Sequence, residues 1–288
     1  MQPYSIFRPE CDPRGLIFNS PHSGTFLPKK FLKQISIAPD LLHYSGDILV
    51  DKLIKNAPLF GATCFINNFA RTYVDTNRAA NEIDRDMFLN TTGESDFDRT
   101  QKVAMGFGLF SRKSYNGQNI YPDKMPSSEI NHRLDLVYHP VHKALATLLD
   151  HCHQDHGYYL LLDCHSMPSY EFIDSGLSNN SQPDLIIGNC FENSCAPDLS
   201  QHVANYFIQH GLNVAFNVPY PGGFNTRHYG MPEQQKNTLQ LEFSRVLYMD
   251  EKTLKSHDGF DTLQRILTGL SENLVKNLSG FFPSEKGL

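Results

Sequence analysis

Two histidines and a glutamate lie at or near the ends of short apolar runs in this sequence. His22 and His165 each come within three residues of the end of such a run, and Glu242 closes a third. Imidazole nitrogens and a carboxylate oxygen are the ligands expected for a catalytic zinc that keeps one position open for water. The three residues therefore indicate a candidate metal site.

Each of these residues also has a structural interpretation. His22 could cap the turn that follows it, because proline and glycine flank it, and His165 could be a hydrogen-bonded core histidine. Glu242 alternates with Leu241 and Phe243, so an extended strand would bury its carboxylate, which is costly unless it is paired or binds a metal. The occurrence of all three together favours a functional role.

A second group of polar residues lies in the segment RTYVDTNR. Arg71, Asn77 and Arg78 surround Asp75 within these eight positions. Guanidinium groups match carboxylates bidentately, so the segment suits a substrate that is itself an anion. A surface salt-bridge segment is the alternative interpretation, and the residues alone do not separate the two. Arg227, in a later glycine-rich stretch, is a further candidate for binding an anion.

The elements that must position these residues are alternating strands and helices. Apolar runs predict buried strands at 16–19, 62–66, 158–163, 184–188, 214–217 and 238–243. Apolar residues at three- and four-residue spacing predict helices within 39–57, 131–154, 194–210 and 253–278. This alternation predicts an α/β protein, a three-layer α/β/α domain with a mostly parallel, mixed central sheet. Ligands of such sheets bind outside the carboxyl ends of the strands, where both histidines emerge.

Two segments fit neither pattern. Residues 90–126 are rich in Gly, Ser, Asn and Asp and are expected to form an excursion or lid with a short helix near 102–110. Residues 220–235 are dense in glycine and proline and are expected to form a loop. No shift in composition marks a boundary, so residues 1–288 are expected to form a single domain.

Composition narrows the function classes. The net charge of −6 gives no electrostatic reason to bind nucleic acid or an anionic membrane. The N-terminus lacks the apolar core of a signal peptide, and no apolar run approaches the roughly 20 residues of a membrane helix. The six cysteines form no CxxC pair and are expected to be reduced. A soluble, cytoplasmic protein with a small-molecule partner is expected.

Five motifs, in this order, resemble those of the N-formylglutamate amidohydrolase family, which is distantly related to zinc carboxypeptidases and aspartate-acylase-like enzymes. They are PHSGTFLP at 21–28, RTYVDTNR at 71–78, DCHS at 163–166, PGGFNTRHYG at 221–230 and LE at 241–242. The resemblance covers about residues 16–249. It implies a phosphorylase/hydrolase-like α/β/α fold and hydrolysis of N-formyl-L-glutamate to formate and L-glutamate, a terminal step of histidine catabolism.

The resemblance also implies roles for particular residues. His22 and His165 look like the two zinc-binding histidines of the family, and Glu242 looks like the catalytic carboxylate of the carboxypeptidase relatives. Asn77 and Arg78 look like the pair that grips the α-carboxylate of the substrate. The implied cofactor is one Zn²⁺.

The third metal ligand is expected to differ from that of the carboxypeptidase relatives. They place a glutamate three residues after the first histidine, where this sequence has Thr25. Family members instead carry an aspartate-rich helix downstream, which the run DILVD at 47–51 matches, so Asp47 is expected as the third ligand. Ile48 and Leu49 replace a Trp-His pair found in many relatives, which leaves the acyl group open.

The implied mechanism gives the zinc a water to activate. Glu242 would take the proton of this water as general base and return it to the leaving amine. Arg71 and Arg78 would hold substrate carboxylates, and one of them or Arg227 could polarise the scissile carbonyl. The alternatives are a related amidohydrolase acting on another N-acyl amino acid or a small peptide, and a non-catalytic dicarboxylate-binding protein. A binding protein has no use for a base at Glu242, which argues against the last.

Overall fold

The computed structural model describes residues 1–91, 96–169 and 182–282. The strands are β1 (Tyr4–Phe7), β2 (Leu16–Ser20), β3 (Thr63–Asn67), β4 (Phe88–Leu89), β5 (Met125–Pro126), β6 (Tyr159–Met167), β7 (Leu185–Gly188), β8 (Val214–Phe216), β9 (Lys236–Ser244), β10 (Met249–Asp250) and β11 (Lys255–Ser256). Seven of them form one sheet in the order β1-β3-β2-β6-β9-β7-β8. The pairs β4–β5 and β10–β11 stand apart from it.

Helices connect most of these strands. They are α1 (Lys29–Leu32), α2 (Pro39–His43), α3 (Val50–Leu53), α4 (Gln101–Met105), α5 (Ser128–Arg133), α6 (His139–His156), α7 (Pro197–Gln209), α8 (Phe224–Tyr229) and α9 (Gly259–Asn277). A π-helical segment, Leu134–Tyr138, joins α5 to α6, so the helix predicted at 131–154 is part of one long helical stretch. No helix within the described ranges is long and apolar enough to span a bilayer.

The strand directions in the sheet are mixed. Strands β2, β6 and β9 run parallel to one another, with Asn19 opposite Asp163 and His165 opposite Glu242. Strand β7 runs antiparallel to β9 and parallel to β8. The prediction of an α/β fold with a mixed, mostly parallel central sheet and flanking helices is confirmed. All nine residues of β6 are buried, as its continuous apolar sequence leads us to expect.

Contacts divide the described chain into two compact units. Unit 1 comprises Met1–Ser5, Pro21–Ile48 and Ile66–Thr147, and unit 2 comprises Ile6–Ser20, Leu49–Phe65 and Leu148–Leu288. A single amidohydrolase domain over residues 1–288 stays a prediction. All six cysteines are unpaired, in agreement with the expectation of reduced thiols.

Two of the predicted segments are wrong in part. The helix predicted at 39–57 consists of the short helices α2 and α3, because Gly46 and the left-handed Leu49 (φ 70°) interrupt it. The loop predicted at 220–235 contains α8, which begins directly after Gly223. The excursion at 90–126 includes α4, close to the predicted short helix, and its residues 92–95 lie outside the described chain.

Candidate active site

His22 lies in a tightly packed turn of unit 1, two residues after β2. The Nδ2 of Asn67 donates to the carbonyl of Pro21 (2.9 Å), and the amide of Phe26 donates to the carbonyl of Asn68 (3.1 Å). A Cβ at Gly24 would collide with the backbone at Asn67 and Asn68, so this close approach requires glycine. The turn thereby fixes the backbone on both sides of His22.

The imidazole of His22 lies between two buried carboxylates. Its Nε2 is 2.7 Å from Oδ1 of Asp75, and its Nδ1 is 3.3 Å from Oδ2 of Asp47. The amide of Asp47 donates to the carbonyl of His22 (3.0 Å), which places Asp47 beside the ring. Helix α3 begins only at Val50, so the expectation that Asp47 lies on a helix is wrong, although the residue lies next to His22.

Asp75 is bound from several sides. Its Oδ2 accepts from Nη2 of Arg71 (2.6 Å), and its Oδ1 accepts from the amide of Asn77 (2.9 Å) and faces His22. Burial alone would raise the pKa of Asp75, but Arg71, His22 and Arg78 outweigh burial and hold this pKa well below its usual range. An ionised carboxylate only accepts hydrogen bonds, so Nε2 of His22 donates the proton of this bond to Asp75.

The arginines of the RTYVDTNR segment have partners within unit 1. Arg71 is paired with Asp75, whose carboxylate is buried. Arg78 donates from Nε to the carbonyl of Phe107 (3.0 Å) and from Nη1 to the carbonyl of Asn77 (2.9 Å). These contacts fix the guanidinium of Arg78 and use only part of its donors. Asn77 is buried beside it.

In unit 2, β6 places Asp163 and His165 on the same face of the sheet, because side chains alternate along a strand. Nε2 of His165 lies 3.1 Å from Oδ2 of Asp163, and Nδ2 of Asn19 donates to Oδ1 of Asp163 at 2.6 Å. All three side chains are buried. His165 therefore repeats the arrangement of His22 at Nε2, where a buried carboxylate faces the ring nitrogen.

Glu242 lies on β9, opposite His165 of the neighbouring strand. Its Oε1 accepts from Nε2 of Gln240 at 3.0 Å. Oε1 of Gln240 in turn accepts from the amide of Gly223 at 2.7 Å. The candidate base is thus linked, through one side chain, to the start of α8.

Helix α8 carries Arg227, whose Nη1 donates to the carbonyl of Gly222 (2.7 Å). Gly222 has a φ of +131°, and a Cβ there would lie 2.7 Å from Sγ of Cys190. Only glycine suits this position. Arg227 and Glu242 both belong to unit 2. Arg71, Asn77 and Arg78 belong to unit 1, which also contains His22 and Asp47.

Sequence reasoning assigned no role to the four residues that hold the candidate groups in place. They are Asp75, which binds His22, Asp163, which binds His165, Asn19, which binds Asp163, and Gln240, which binds Glu242. The run TLQLEF contained a usable signal for one of them. Gln240 and Glu242 alternate with leucines there, which places two polar side chains on one face of a buried strand.

Comparison with known proteins extends these observations. The chain matches the N-formylglutamate amidohydrolase family over residues 14–249. The N-formylglutamate deformylase of Pseudomonas aeruginosa is 30% identical over 266 residues, which cover 90% of this chain and 92% of that protein. The N-formylglutamate deformylase of Pseudomonas putida is 26% identical over 243 residues, 82% of each chain.

A solved structure agrees with these sequence matches. The crystal structure of N-formylglutamate amidohydrolase from Ralstonia eutropha JMP134 has a TM-score of 0.92 and 31% identity, and the match covers 98% of this chain and 100% of that one. The chain is therefore an amidohydrolase with an α/β fold. It belongs to the N-formylglutamate amidohydrolase family, which confirms the resemblance drawn from the five motifs.

Proposed function

We propose that the protein hydrolyses the formyl amide bond of N-formyl-L-glutamate to give formate and L-glutamate, with one bound Zn²⁺, as a step of histidine catabolism in the cytoplasm. Relatives that match most of the chain carry the name of this activity. The observation that carries the proposal is the pair of buried imidazoles whose Nε2 atoms face Asp75 and Asp163. Zinc-binding histidines characteristically have such a carboxylate on the second nitrogen.

In this proposal the metal ligands are His22, Asp47 and His165, a group of buried residues that could hold a metal ion. Nitrogen and carboxylate donors in a set of three suit a catalytic zinc. Chain connectivity supports the proposal, because His22 follows β2 by two residues and β2 runs parallel to β6, which carries His165.

A zinc bound there would supply a Lewis acid that lowers the pKa of a water molecule from about 15.7 towards about 7. Glu242 accepts the proton of the attacking water and later donates it to the nitrogen of the leaving glutamate. Such positioned proton transfer typically contributes about 10²–10⁴-fold to the rate. Asp75 and Asp163 keep the Nε2 protons of the two histidines in place throughout.

N-Formyl-L-glutamate carries two carboxylates, and the proposal assigns Arg71, Asn77, Arg78 and Arg227 to hold them. A guanidinium has five N–H donors in a fixed fork. Arg78 donates from Nε and Nη1 to backbone carbonyls, and Arg227 donates from Nη1 to a backbone carbonyl. Each guanidinium therefore keeps N–H groups that can donate to an anion. The backbone contacts also orient both side chains before a substrate binds.

The test of the substrate is a panel of N-formyl, N-acetyl and N-succinyl amino acids, with the released amine measured. We expect N-formyl-L-glutamate to have the highest kcat/KM, and its amidated analogues to bind much more weakly. Treatment with a chelator should abolish turnover, and added zinc should restore it. A higher kcat/KM for an N-acetyl or N-succinyl amino acid would show that the enzyme has another acyl specificity.

The test of the base is Glu242→Gln. Glutamine is nearly isosteric but cannot accept a proton at neutral pH, so kcat should fall by about 10²–10⁴ while KM changes little. Zinc content and melting temperature should stay close to those of the wild type. If zinc is lost together with activity, Glu242 is a metal ligand and not the base.

A further inference from the structure

We infer that Gln240 is a positioning residue for Glu242, whose side-chain amide selects the carboxylate oxygen that takes up the proton. The inference rests on the proposed role of Glu242 as general base. Gln240 lies two residues before Glu242 on β9, so both side chains project from the same face of the sheet. They are 4% and 7% exposed, respectively, so water competes little for their hydrogen bonds.

The direction of the Gln240 amide follows from its neighbours. A backbone N–H can only donate, so the atom that faces the amide of Gly223 at 2.7 Å must be the carbonyl oxygen Oε1. The hydroxyl of Thr226 lies 3.4 Å from the same oxygen and can donate to it. The amino group Nε2 must therefore point the other way, towards Oε1 of Glu242 at 3.0 Å.

This direction determines how Glu242 can be protonated. Nε2 of Gln240 has no lone pair to offer, so Oε1 of Glu242 must accept the hydrogen bond and cannot carry the proton on that side. The bond occupies one lone pair of Oε1, so it disfavours proton uptake at Oε1 and favours uptake at Oε2. Because one oxygen is held, the plane of the carboxyl group is held too, and proton transfer depends on this geometry.

The amide is also neutral, which suits a base. A lysine or arginine at this position would favour the charged form of Glu242 and weaken it as a proton acceptor. An amide orients the carboxylate with one hydrogen bond and adds no charge. The same amide binds Gly223, at the start of the helix that carries Arg227, so one side chain joins the candidate base to a candidate substrate-binding arginine.

The experiment is a double-mutant cycle with Gln240→Met and Glu242→Gln, measured as formate release per folded protein. Methionine fills a similar volume but neither donates nor accepts strongly. In the wild-type background, Gln240→Met should lower kcat about 10- to 100-fold, similar to the effect of losing a residue that orients a metal ligand. In the Glu242→Gln background it should lower kcat less than about twofold, since no base is left to orient.

Asn237→Ala is the matched control on the same strand. Oδ1 of Asn237 accepts from the amide of Ala196 at 2.8 Å, so this variant also removes a hydrogen bond between a buried side-chain amide and the backbone. It should lower the melting temperature and leave kcat unchanged. If Gln240→Met does not fold, Gln240→Asn replaces it, because asparagine keeps the amide on a side chain that is one methylene shorter. Its kcat should fall when Glu242 is present and should not fall further in the Glu242→Gln background.

Wild-type kcat in the Gln240 variants, or an equal loss in both backgrounds, would overturn the inference. The two proposals fail in different ways. If Glu242→Gln loses turnover and the Gln240 variants do not, only the positioning role is wrong. If Glu242→Gln alone keeps wild-type kcat, the base itself is misassigned and the positioning role is wrong with it.

Discussion

The two units hold their buried carboxylates by different means. In unit 1, Asp75 is bound by the cation Arg71 at 2.6 Å and by a backbone amide. In unit 2, Asp163 is bound by the neutral amide of Asn19 at 2.6 Å, and Glu242 by the neutral amide of Gln240 at 3.0 Å. The distances are similar, but the charges of the partners differ.

The comparison separates the cation-bound Asp75 from the amide-bound Glu242, which the proposed mechanism uses as its base. Arg71 favours the charged form of Asp75 so strongly that this carboxylate stays ionised and can only orient His22. An amide partner fixes the direction of a carboxylate without cancelling its charge. In the proposed mechanism Glu242 accepts a proton during the reaction, whereas Asp75 stays ionised.

The largest expected effect comes from Asp75→Asn, which removes the anion and leaves Arg71 in a mostly buried position. Breaking a buried ion pair typically costs about 3–5 kcal/mol, so the free energy of unfolding should fall by that amount. At the proposed metal site, zinc affinity should fall about 10- to 100-fold, because His22 loses its orienting partner. Urea titration and competition with a zinc chelator measure the two effects.

Asp84→Asn is the matched control for Asp75→Asn. Arg112 and Asp84 form an arginine–aspartate pair at 2.7 Å, but the arginine side chain is 34% exposed. Asparagine can still cap the short turn that follows, so the loss should be at most about 1 kcal/mol. Equal losses in the two variants would show that burial of the Asp75 pair adds nothing to stability.

A smaller effect is expected from Asn19→Ala in unit 2. The variant removes a neutral donor and leaves Oδ1 of Asp163 buried without that partner, which typically costs about 1–3 kcal/mol. Asn205→Ala is the control. It removes an exposed hydrogen bond between two side-chain amides and should change the free energy of unfolding by less than about 0.5 kcal/mol. A loss for Asn19→Ala that exceeds the loss for Asp75→Asn would contradict the contrast between the units.

The smallest effect is a dependence of stability on pH. The pKa of Asp75 is depressed in the folded state, so its contribution is fully present well above the unfolded value of about 3.9 and is lost as the pH falls. Relative to Asp75→Asn, the wild type should lose about 0.7 kcal/mol of unfolding free energy between pH 7 and pH 3.5. Urea titrations of both proteins at the two pH values check this, and a gap that widens on acidification would refute it.

Local patterns in the sequence were enough to predict the main strands and the α/β class. The run YYLLLD predicted β6, and this strand continues through His165, which the sequence placed just after it. Strand β1 lacks such a run and was not predicted. In the PGGFNTRHYG segment, glycine and proline indicated a loop, but they lie on either side of α8 and do not interrupt it.

The contacts that hold His22 in place could not be predicted from local sequence patterns. His22 and Asp75 lie 53 positions apart, and their contact depends on the folding of unit 1. Asp47 lies beside His22 because its backbone amide reaches the carbonyl of His22, not because it lies on a helix face. The first contact joins side chains that are far apart in sequence and the second uses the backbone, so the local side-chain pattern indicates neither.

A saturation mutational scan would report Gly24 and Gly222 among the least tolerant positions, although neither has a side chain that could contact substrate. At Gly24 the obstacle is the backbone of Asn67 and Asn68, which no second substitution can remove. At Gly222 the first obstacle is the thiol of Cys190, which a smaller residue would relieve in part, while the φ of +131° would still disfavour alanine. Loss of function on substitution at either glycine would therefore reflect steric crowding and not a catalytic role. Only substitutions at Gly222 should be partly rescued by a second substitution elsewhere.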